Sequence, residues 1–410
     1  ALRKPRKFWK QYRTNYNLSI MNTKHFSFTG IAVPLMCIVV AVFAFSCSSE
    51  EEIPVPKTAE LSLTISGSKN QTLPRSVGEV VAEGTVNRIA IGIFNSNGSV
   101  NTIAEYAFGD LTDNGNGSYT ATLICSPGTG CTIAVVANAP SGMFAGVGSK
   151  AVFLSKTVDL AQTANAANTD QISTNLPMSG ESAAVDFTAN ASTDATVSLS
   201  RLVSRVVLNG VSTAFDPAGQ YASATFKITK VFLYNALKTS KVHTGDASAT
   251  FPSSPDYYHG GTVSETTWTD GSNFIRDDLS EAVEVNASAP YTTSHFFYAF
   301  PNPSTNPTKT KLVIAGIFDQ DGSGTAYDEE TVYYPIVINK SQSGTTITEN
   351  GETKTGRTGY LDRNTVYNLS AVIKGKGVSD PSQDIEPADL NLTVTVADWA
   401  LTVTQEVVFE

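Results

Sequence analysis

The chain has few of the residues on which most enzymes depend. Its 410 residues include only four histidines, four cysteines and three tryptophans. His25 precedes an apolar run, and His243, His259 and His295 have no acidic residue at the spacing of a metal site or catalytic triad. Nucleophile-elbow, zinc-protease and phosphate-loop motifs are absent from the sequence. It therefore predicts a protein that is not an enzyme and has no cofactor and no metal.

Positive charge is scarce over most of the chain. Residues 1–46 hold seven of the 28 basic residues and no acids, so residues 47–410 carry 21 basic and 38 acidic residues, a net charge of −17. A nucleic acid or an anionic membrane surface would each require a basic face. The composition strongly disfavours both as partners and suits a protein exposed to the medium.

Long apolar runs are limited to one, at residues 31–45, with Lys24 ahead of it. This run has the length of a secretory signal and is too short for a comfortable membrane span. Ser46 and Cys47 follow it, and a small residue before a lone cysteine is typical of a bacterial lipoprotein signal. We expect Cys47 to be lipidated and to become the first residue, which attaches the protein to a membrane without a spanning helix. An ordinary export signal that happens to contain Cys47 is the alternative.

These features predict the organisation of the chain. We expect Met21 to be the start, residues 1–20 to be an upstream extension and residues 21–46 to be the signal peptide. The roughly 360 residues beyond it suggest two domains by the usual size of domains. The predicted segments are listed in order: a propeptide with a removable first strand at 47–75, an N-terminal domain at 76–182 and a C-terminal domain at 183–410.

The residue pattern of the exported part predicts β-strands. It is rich in Thr, Ser, Val and Ala, and apolar and polar residues alternate between Gly, Asn and Asp turns, which is typical of antiparallel strands. We predict a mainly β protein with two consecutive β-sandwich domains of transthyretin-like or Greek-key type, dividing near 181–185. Short helical insertions are expected in the first domain, at 149–166. The predicted strands are 60–66, 87–94, 118–124, 132–138, 196–207, 225–234, 295–300, 311–318, 331–338, 365–374, 390–396 and 401–409.

Two cysteines remain after the signal and the lipid site are assigned. Cys125 and Cys131 flank a short Ser-Pro-Gly-Thr-Gly segment between two predicted strands. The pair could face each other across a hairpin and form a disulfide in an oxidising compartment. Two free buried thiols are the alternative, and the sequence leaves both open.

The two ends of the exported part carry the functional prediction. Strand 60–66 has Leu61, Leu63 and Ile65 on one face and runs into the polar loop 67–78, whose composition favours proteolysis. At the other end, alternation over 390–409 predicts a long two-part strand. Its candidate strand-donating residues are Leu390, Leu392, Val394, Val396, Trp399, Leu401, Val403, Val407 and Phe409.

A mechanism follows if the loop is cut. A sandwich without its first strand exposes unpaired backbone groups and an apolar floor. The C-terminal strand of another copy can fill this groove by strand addition, and the contact between unlike patches grows a filament. The alternative is that 390–409 is simply the last hairpin of its own domain.

One acidic stretch matches a calcium loop in spacing. Asp319, Asp321, Ser323 and Glu330 fall at ligand positions 1, 3, 5 and 12, with Gly324 at position 6. Predicted strands flank this stretch, whereas the calcium loop needs helices. We therefore interpret it as the acidic tip of a hairpin.

Several motifs together resemble those of the Bacteroidales fimbrillins, the FimA/Mfa-like type V pilins. Residues 176–181 (LPMSGE) and 197–206 (VSLSRLVSRV) resemble the junction between the two domains of these pilins, and their order and spacing over 47–410 make the resemblance specific. The other similar stretches are 134–140 (AVVANAP), 298–302 (YAFPN), 311–314 (KLVI), 362–369 (DRNTVYNL), 373–377 (IKGKG) and 394–399 (VTVADW).

The resemblance implies a structural subunit of a surface fimbria that supports adhesion. It implies an outer-membrane lipoprotein precursor, cleavage by a trypsin-like surface protease, and donor-strand polymerisation with other copies or related subunits, with host or bacterial surface receptors as further partners. Carried onto this sequence, the cut falls after Arg75, the donor is about 390–410 and the acceptor groove lies in 76–182. Lys69 and Arg88 are weaker cleavage candidates.

Other functions remain as alternatives. An accessory tip or anchor subunit of the same family would share the fold. A surface glycan-binding lipoprotein would need exposed aromatic residues, and among Trp9, Trp268 and Trp399 only Trp268 has a sequence context that suits one. A secreted hydrolase is disfavoured by the missing catalytic motifs.

Overall fold

The computed structural model describes residues 57–66, 83–114, 118–163, 171–259, 275–338 and 361–385 in full, and the backbone of the strands at 346–349, 352–355, 389–395 and 401–409. Within these ranges the chain is mainly β, and residues 56–410 form one compact unit. The predicted extension and signal peptide lie outside the described ranges.

Strands follow one another closely along the chain. The first eleven are β1 (Ala59–Ser66), β2 (Arg88–Phe94), β3 (Val100–Ala107), β4 (Thr112–Asp113), β5 (Ser118–Cys125), β6 (Gly128–Ala137), β7 (Thr157–Asp159), β8 (Met178–Glu181), β9 (Val185–Phe187), β10 (Ser192–Ser198) and β11 (Ser200–Arg201). The others are β12 (Ser204–Thr213), β13 (Thr225–Tyr234), β14 (Ala236–Leu237), β15 (Thr239–Lys241), β16 (Tyr257–Tyr258), β17 (Arg276–Val285), β18 (His295–Ala299), β19 (Lys311–Asp319), β20 (Glu329–Val337), β21 (Thr346–Glu349), β22 (Glu352–Thr355), β23 (Thr365–Ile373), β24 (Asp389–Thr395) and β25 (Leu401–Phe409).

The first sandwich consists of two sheets that share a core. One sheet has the strand order β10–β1–β5–β4, and the other has the order β11–β8–β6–β2–β3, with β9 paired to β6. Successive side chains of a strand alternate between its two faces, so every second residue of β1 points into the core. The core includes Leu61, Leu63, Ile89, Ile91 and Val135, each at most 1% exposed.

The second sandwich is built in the same way. Its sheets have the strand orders β18–β12–β23–β25–β24 and β17–β13–β19–β20. Leu208 and Leu369 from the first of these sheets belong to one buried cluster with Phe226, Ile314 and Tyr334 from the second. The rings of Phe226 and Tyr334 meet edge to face at 5.2 Å. The prediction of a mainly β protein with β-sandwich domains is therefore confirmed.

Short helices occur as insertions. The helix α1 (Lys150–Ser155) and a 3₁₀ turn at Leu160–Thr163 lie within the stretch predicted to be helical. Ser149 begins α1, because its Oγ accepts a hydrogen bond from the amide of Val152 at 3.3 Å. The other helical elements among the described residues are α2 (Ala247–Thr250) and 3₁₀ turns at Phe108–Asp110 and Ser173–Asn175.

The junction between the sandwiches differs from the prediction. The strand predicted at 196–207 is wrong, because β10, β11 and β12 belong to three different sheets. β10 returns to the first sandwich to pair with β1, so the strands of that sandwich extend to Arg201. The predicted boundary between residues 182 and 183 falls before these strands.

The end of the chain also differs from the prediction. The two-part strand predicted at 390–409 is instead a hairpin, because β24 pairs antiparallel with β25. β25 pairs in turn with β23, in parallel, and β24 lies at the edge of the sheet. In this structure the hairpin completes its own sandwich, as in the alternative considered from the sequence.

Candidate functional site

The candidate site is the first strand, β1, and the two strands on either side of it. β1 pairs in parallel with β10, from Glu60 opposite Ser192 to Ser66 opposite Ser198. On its other side β1 pairs antiparallel with the whole of β5. It is therefore an interior strand of its sheet, although it is the first strand that the structure describes.

β1 also fills the core of the first sandwich. The side chains of Leu61, Leu63 and Ile65 are at most 1% exposed, and Ala59 is 3% exposed. They belong to one buried cluster with Leu123 of β5 and other core residues. Burial of each Leu or Ile side chain stabilises a fold by roughly 1.5–3 kcal/mol. The contribution of β1 is therefore large for a segment of this length.

The neighbours of β1 depend on it for their hydrogen bonds. In the described part of this sheet β10 pairs with β1 alone, and β5 has β4 on its other side, where only Tyr119 and Thr120 are paired. Unpaired strand edges readily accept another strand. Removal of β1 would thus leave two edges facing one apolar gap.

β10 is held in place from a second direction. Gly180 of β8 lies so close to β10 that a Cβ at this position would come within 2.2 Å of the carbonyl oxygen of Ser198. Only a residue without a side chain allows this approach. The contact fixes the end of β10 against the opposite sheet, independently of its pairing with β1.

Part of the predicted site lies outside the described residues. This applies to the lipidation site Cys47, the cleavage site Arg75, and Val396 and Trp399 of the donor segment. β1 ends at Ser66 and the description resumes at Glu83, so Arg75 lies between them in sequence. The other predicted donor residues lie on β24 and β25.

A buried ion pair holds the chain directly after this undescribed stretch. Glu83 is 4% exposed, and its Oε1 lies 2.9 Å from Nη1 of Arg205. The hydroxyl of Tyr298 donates to the same Oε1 at 2.7 Å, and Arg201 donates to the Glu83 carbonyl oxygen at 3.0 Å. Burial, and then the Glu83 carboxylate, raises the pKa of Tyr298, so the phenol keeps the proton that it donates. Glu83 is thereby bound to β11, β12 and β18.

Arg363 joins the two sandwiches through a second set of buried hydrogen bonds. Its guanidinium donates to four backbone carbonyl oxygens, those of His243 at 2.8 Å, Ser179 at 3.1 Å, Ser200 at 2.6 Å and Arg201 at 3.2 Å. Burial lowers the pKa of Arg363 to about 10, so the group remains charged at neutral pH. These bonds tie the loop before β23 to the last strands of the first sandwich.

The sequence did not predict either of these buried polar groups. The available signal was the pair Arg201 and Arg205, which interrupts an apolar stretch of strand residues. A buried arginine requires an acceptor, but the acceptors Glu83 and Asn364 are more than a hundred residues away in sequence. Only the fold could identify them.

The two remaining cysteines are free and buried. The predicted hairpin between them is wrong, because Cys125 ends β5 in one sheet and Cys131 lies on β6 in the facing sheet. Burial raises the pKa of both thiols, with further contributions from Cys131 for Cys125 and from Asp186 for Cys131. The structure thus agrees with the alternative of two free buried thiols and not with a disulfide.

The acidic stretch forms a hairpin tip between β19 and β20, as interpreted. The carboxylate oxygens of Asp319, Asp321 and Asp328 lie within 4.8 Å of one another. Asp319 already accepts hydrogen bonds from the amides of Gly322 and Gly324, at 2.9 and 2.8 Å. Glu330, the twelfth residue of the calcium pattern, pairs instead with Lys376 at 2.7 Å.

One histidine has partners that the sequence spacing did not predict. Nδ1 of His295 lies 2.8 Å from Oδ2 of Asp277, and its Nε2 lies 2.6 Å from the Tyr291 hydroxyl. Burial raises the pKa of Tyr291, so its hydroxyl is a weak nucleophile at neutral pH. The arrangement is best explained as packing between β17 and β18.

No helix among the described residues is long and apolar enough to cross a membrane. Taken together, the paired sheets and the interior first strand define a mainly β, two-sandwich protein.

Comparisons with known proteins show sequence similarity to fimbrial subunits. The family model for the major fimbrial subunit protein FimA matches residues 59–212, from the first residue of β1 into β12. A provisionally named fimbrium tip subunit, Fim1C of Parabacteroides distasonis, is 26% identical over 241 residues, which are 56% of this chain and 61% of that protein. The chain thus matches less than two thirds of the length of this relative.

Solved structures show the same fold. A fimbrilin, FimA of Porphyromonas gingivalis, has a TM-score of 0.54 at 19% identity and covers 86% of this chain and 98% of its own. A cell adhesion protein of Bacteroides eggerthii, also provisionally named, has a TM-score of 0.56 at 22% identity, with coverage of 86% and 99%. These structures show that the fold is shared, and the sequence similarity to fimbrial subunits comes from the family model over residues 59–212 and from Fim1C.

Proposed function

We propose that the protein is a structural subunit of a surface fimbria that is activated by proteolysis and assembled by exchange of strands. The observation that carries this proposal is the position of β1. It is an interior strand, buried on one face and paired on both edges, and it is joined to the rest of the sandwich through a segment that contains Arg75. A single cut in this segment would separate β1 from its sandwich.

Cleavage after Arg75, followed by loss of β1, would leave a groove in the sheet. The groove would have β10 along one edge and β5 along the other, and core residues of the facing sheet, such as Ile91 and Val135, would form its floor. Arg88 suits a protease less well, because it is the first residue of β2 and is paired with Ala107. Lys69 would leave more of the polar loop on the mature chain.

The strand that fills the groove comes from the C-terminal residues 390–410 of a second copy or of a related subunit. Donor and acceptor are different surfaces, so each added copy presents a new groove and growth does not close. Each backbone hydrogen bond contributes about 1 kcal/mol net, and burial of the apolar side chains adds to this. Dissociation of such a contact is expected to be slow.

The precursor is exported with a lipid on Cys47, which attaches it to the outer membrane until cleavage. A trypsin-like surface protease is the activating partner. After assembly the protein is part of a cell-surface fimbrium, where it supports adhesion to host or bacterial surfaces. The negative charge of the exported part suits this exposed location.

A tip subunit is the second candidate, because the curated relative Fim1C carries that description. A tip subunit accepts a strand but needs no donor of its own. A subunit of the shaft needs both surfaces. The two functions therefore differ in whether the C-terminal hairpin is required for assembly.

The test follows cleavage and assembly together. The full chain is expressed in an exporting host, extracted in detergent and treated with a trypsin-like protease, and the products are sequenced from the N-terminus and run on denaturing gels. We expect a new N-terminus at Ser76 and a ladder of multimers, both lost in Arg75→Ala and both retained in the control Lys69→Ala. Cleavage without a ladder would favour the tip subunit, and resistance at Arg75 would contradict activation at this position.

A further inference from the structure

The penultimate strand is close in sequence to the first. β24 reads Asp-Leu-Asn-Leu-Thr-Val-Thr, and residues 60–66 of β1 read Glu-Leu-Ser-Leu-Thr-Ile-Ser. Three of the seven positions are identical, and the other four exchange residues of like chemistry: Glu for Asp, Ser for Asn, Ile for Val and Ser for Thr. In sequence the match extends one residue further back, to Ala59 and Ala388.

The match covers the residues that make β1 fit its place. Leu61, Leu63 and Ile65 are the buried residues of β1, and the corresponding residues of β24 are Leu390, Leu392 and Val394. The positions between them are polar in both strands. A strand with the same period and nearly the same volumes can fill the same cavity without repacking it.

The last strand does not share this match. β25 carries Gln405 and Glu406 at its centre. If Leu401 and Val403 face the core, Gln405 does as well, and in the opposite register Thr402, Thr404 and Glu406 would face it. A buried polar side chain without a partner costs roughly 1–3 kcal/mol. β25 therefore fits the place of β1 poorly in either register.

The position of the two strands in their own sheet also distinguishes them. β24 is the edge strand and pairs with β25 alone among the described strands, whereas β25 pairs with both β24 and β23. An edge strand leaves its sheet by breaking one ladder, and an interior strand must break two. β24 is thus the easier of the two to release.

We propose that β24 of a second copy replaces β1, residue for residue. This inference rests on the proposed function and specifies the strand and the register. Leu390 takes the place of Leu61, Leu392 that of Leu63 and Val394 that of Ile65. The incoming strand runs parallel to β10 and antiparallel to β5, as β1 does.

The close match between β1 and β24 means that affinity for the groove cannot by itself control the exchange of strands. Two strands of nearly the same sequence have nearly the same affinity for the groove, so affinity alone gives little preference for exchange. While the loop is intact, β1 is tethered beside the groove at a high effective concentration and excludes β24 of other copies. Cleavage removes this advantage, because β1 becomes a separate peptide that dilutes away. Proteolysis therefore acts as the switch through the tether.

Synthetic peptides test the identity of the strand without altering the protein. The full chain is cleaved in the presence of peptide 59–66, 388–395 or 402–409, and growth of the ladder is measured. We expect the first two peptides to block growth at similar concentrations. Peptide 402–409 should be weaker by about tenfold or more, since one buried polar group costs about that factor in affinity. Peptide 388–395 with Leu392→Asn is the matched control and should lose its effect.

Paired cysteines test the register. Asn391 takes the place of Ser62, which lies opposite Thr122 in β5. Asn391→Cys with Thr122→Cys should therefore form a disulfide between subunits under mild oxidation, because directly opposite residues are close enough to be bridged. Asn391→Cys with Ser118→Cys, four residues along the same strand, should not. Ser62→Cys with Thr122→Cys in the uncut chain is the positive control.

The peptide and cross-linking results distinguish failure of the β24 register from failure of the proposed function. A ladder that is blocked by peptide 402–409 and not by 388–395, or a cross-link to Ser118→Cys instead of Thr122→Cys, overturns the β24 register and leaves the fimbrial function standing. Complete absence of a ladder after confirmed cleavage at Arg75 overturns both. A ladder with the Asn391→Cys to Thr122→Cys cross-link supports both.

Discussion

The carboxylate of Glu83 and the guanidinium of Arg205 form a buried ion pair of 2.9 Å across 122 residues of sequence. Glu83 is the first described residue after the stretch that contains the predicted cleavage site. The pair therefore fixes this part of the chain to the second sandwich. The hydrogen bonds from Arg201, Arg205 and Tyr298 to Glu83 do not involve β1, so loss of β1 would leave these bonds in place.

Substitution of Glu83 should destabilise the protein strongly. In Glu83→Ala the charge of Arg205 loses its buried carboxylate, and removal of one partner of a buried pair costs about 3–5 kcal/mol. Thermal unfolding should shift to a clearly lower temperature. Glu330→Ala, which breaks the surface pair with Lys376, is the control and should cost no more than about 1 kcal/mol. Equal effects of the two variants would contradict a structural role for Glu83.

Arg363→Lys should also lower stability, even though it keeps the charge. The planar guanidinium donates hydrogen bonds to four carbonyl oxygens that lie in different directions. A lysine ammonium has three donors on a single nitrogen and cannot reach all four, so buried acceptors are left unsatisfied. We expect a loss of about 2–3 kcal/mol in the free energy of unfolding, measured with denaturant. Arg276→Lys, in a pair with Asp278 near the surface, is a comparison with a smaller expected effect. An unchanged unfolding midpoint for Arg363→Lys would show that these hydrogen bonds contribute little.

Leu63→Ala should affect the precursor and not the cleaved protein. Leu63 is fully buried, and truncation of a buried leucine costs about 2–5 kcal/mol. After cleavage and release of β1 the variant and the natural protein are the same molecule. Their unfolding temperatures should then coincide. Thr64→Ala, on the outer face of β1, should change the precursor little.

A persistent difference between Leu63→Ala and the natural protein after cleavage would mean that β1 stays bound. Mass spectrometry of the purified product distinguishes the two cases, because it detects the retained peptide directly. Retention of β1 would contradict the exchange of strands.

Cys125 and Cys131 should resist alkylation in the native protein. Their side chains are buried and burial raises the pKa of both thiols, so little thiolate is accessible at neutral pH. Both should react with a maleimide once the protein is unfolded without reductant. Failure to react after unfolding, with the mass of a disulfide, would show that the two thiols become oxidised in the exported protein.

Calcium should leave the unfolding temperature unchanged. The amides around the hairpin tip already occupy Asp319, and Glu330 is paired with Lys376. The hairpin tip therefore offers no preformed set of ligands to calcium at about 1 mM, the level at which extracellular sites bind. A rise in the unfolding temperature that is lost in Asp321→Asn would contradict this and identify a calcium site.

The sequence by itself determined most of the longer strands. Alternation of apolar and polar residues is a local signal, because the two faces of a strand meet different surroundings. It placed β13 and β25 at their observed bounds and identified the buried face of β1. It also allowed the comparison of β1 with β24, since the match is visible in the residues alone.

Only the tertiary structure decided how these strands pair. The register of β1 between β10 and β5, the division of residues 196–207 among three sheets, and the hairpin of β24 and β25 all depend on contacts between residues far apart in sequence. The same holds for Glu83 and Arg363, whose acceptors and donors come from different sandwiches. A period along the chain specifies which face of a strand is buried, but its neighbours are selected by the packing of the whole fold.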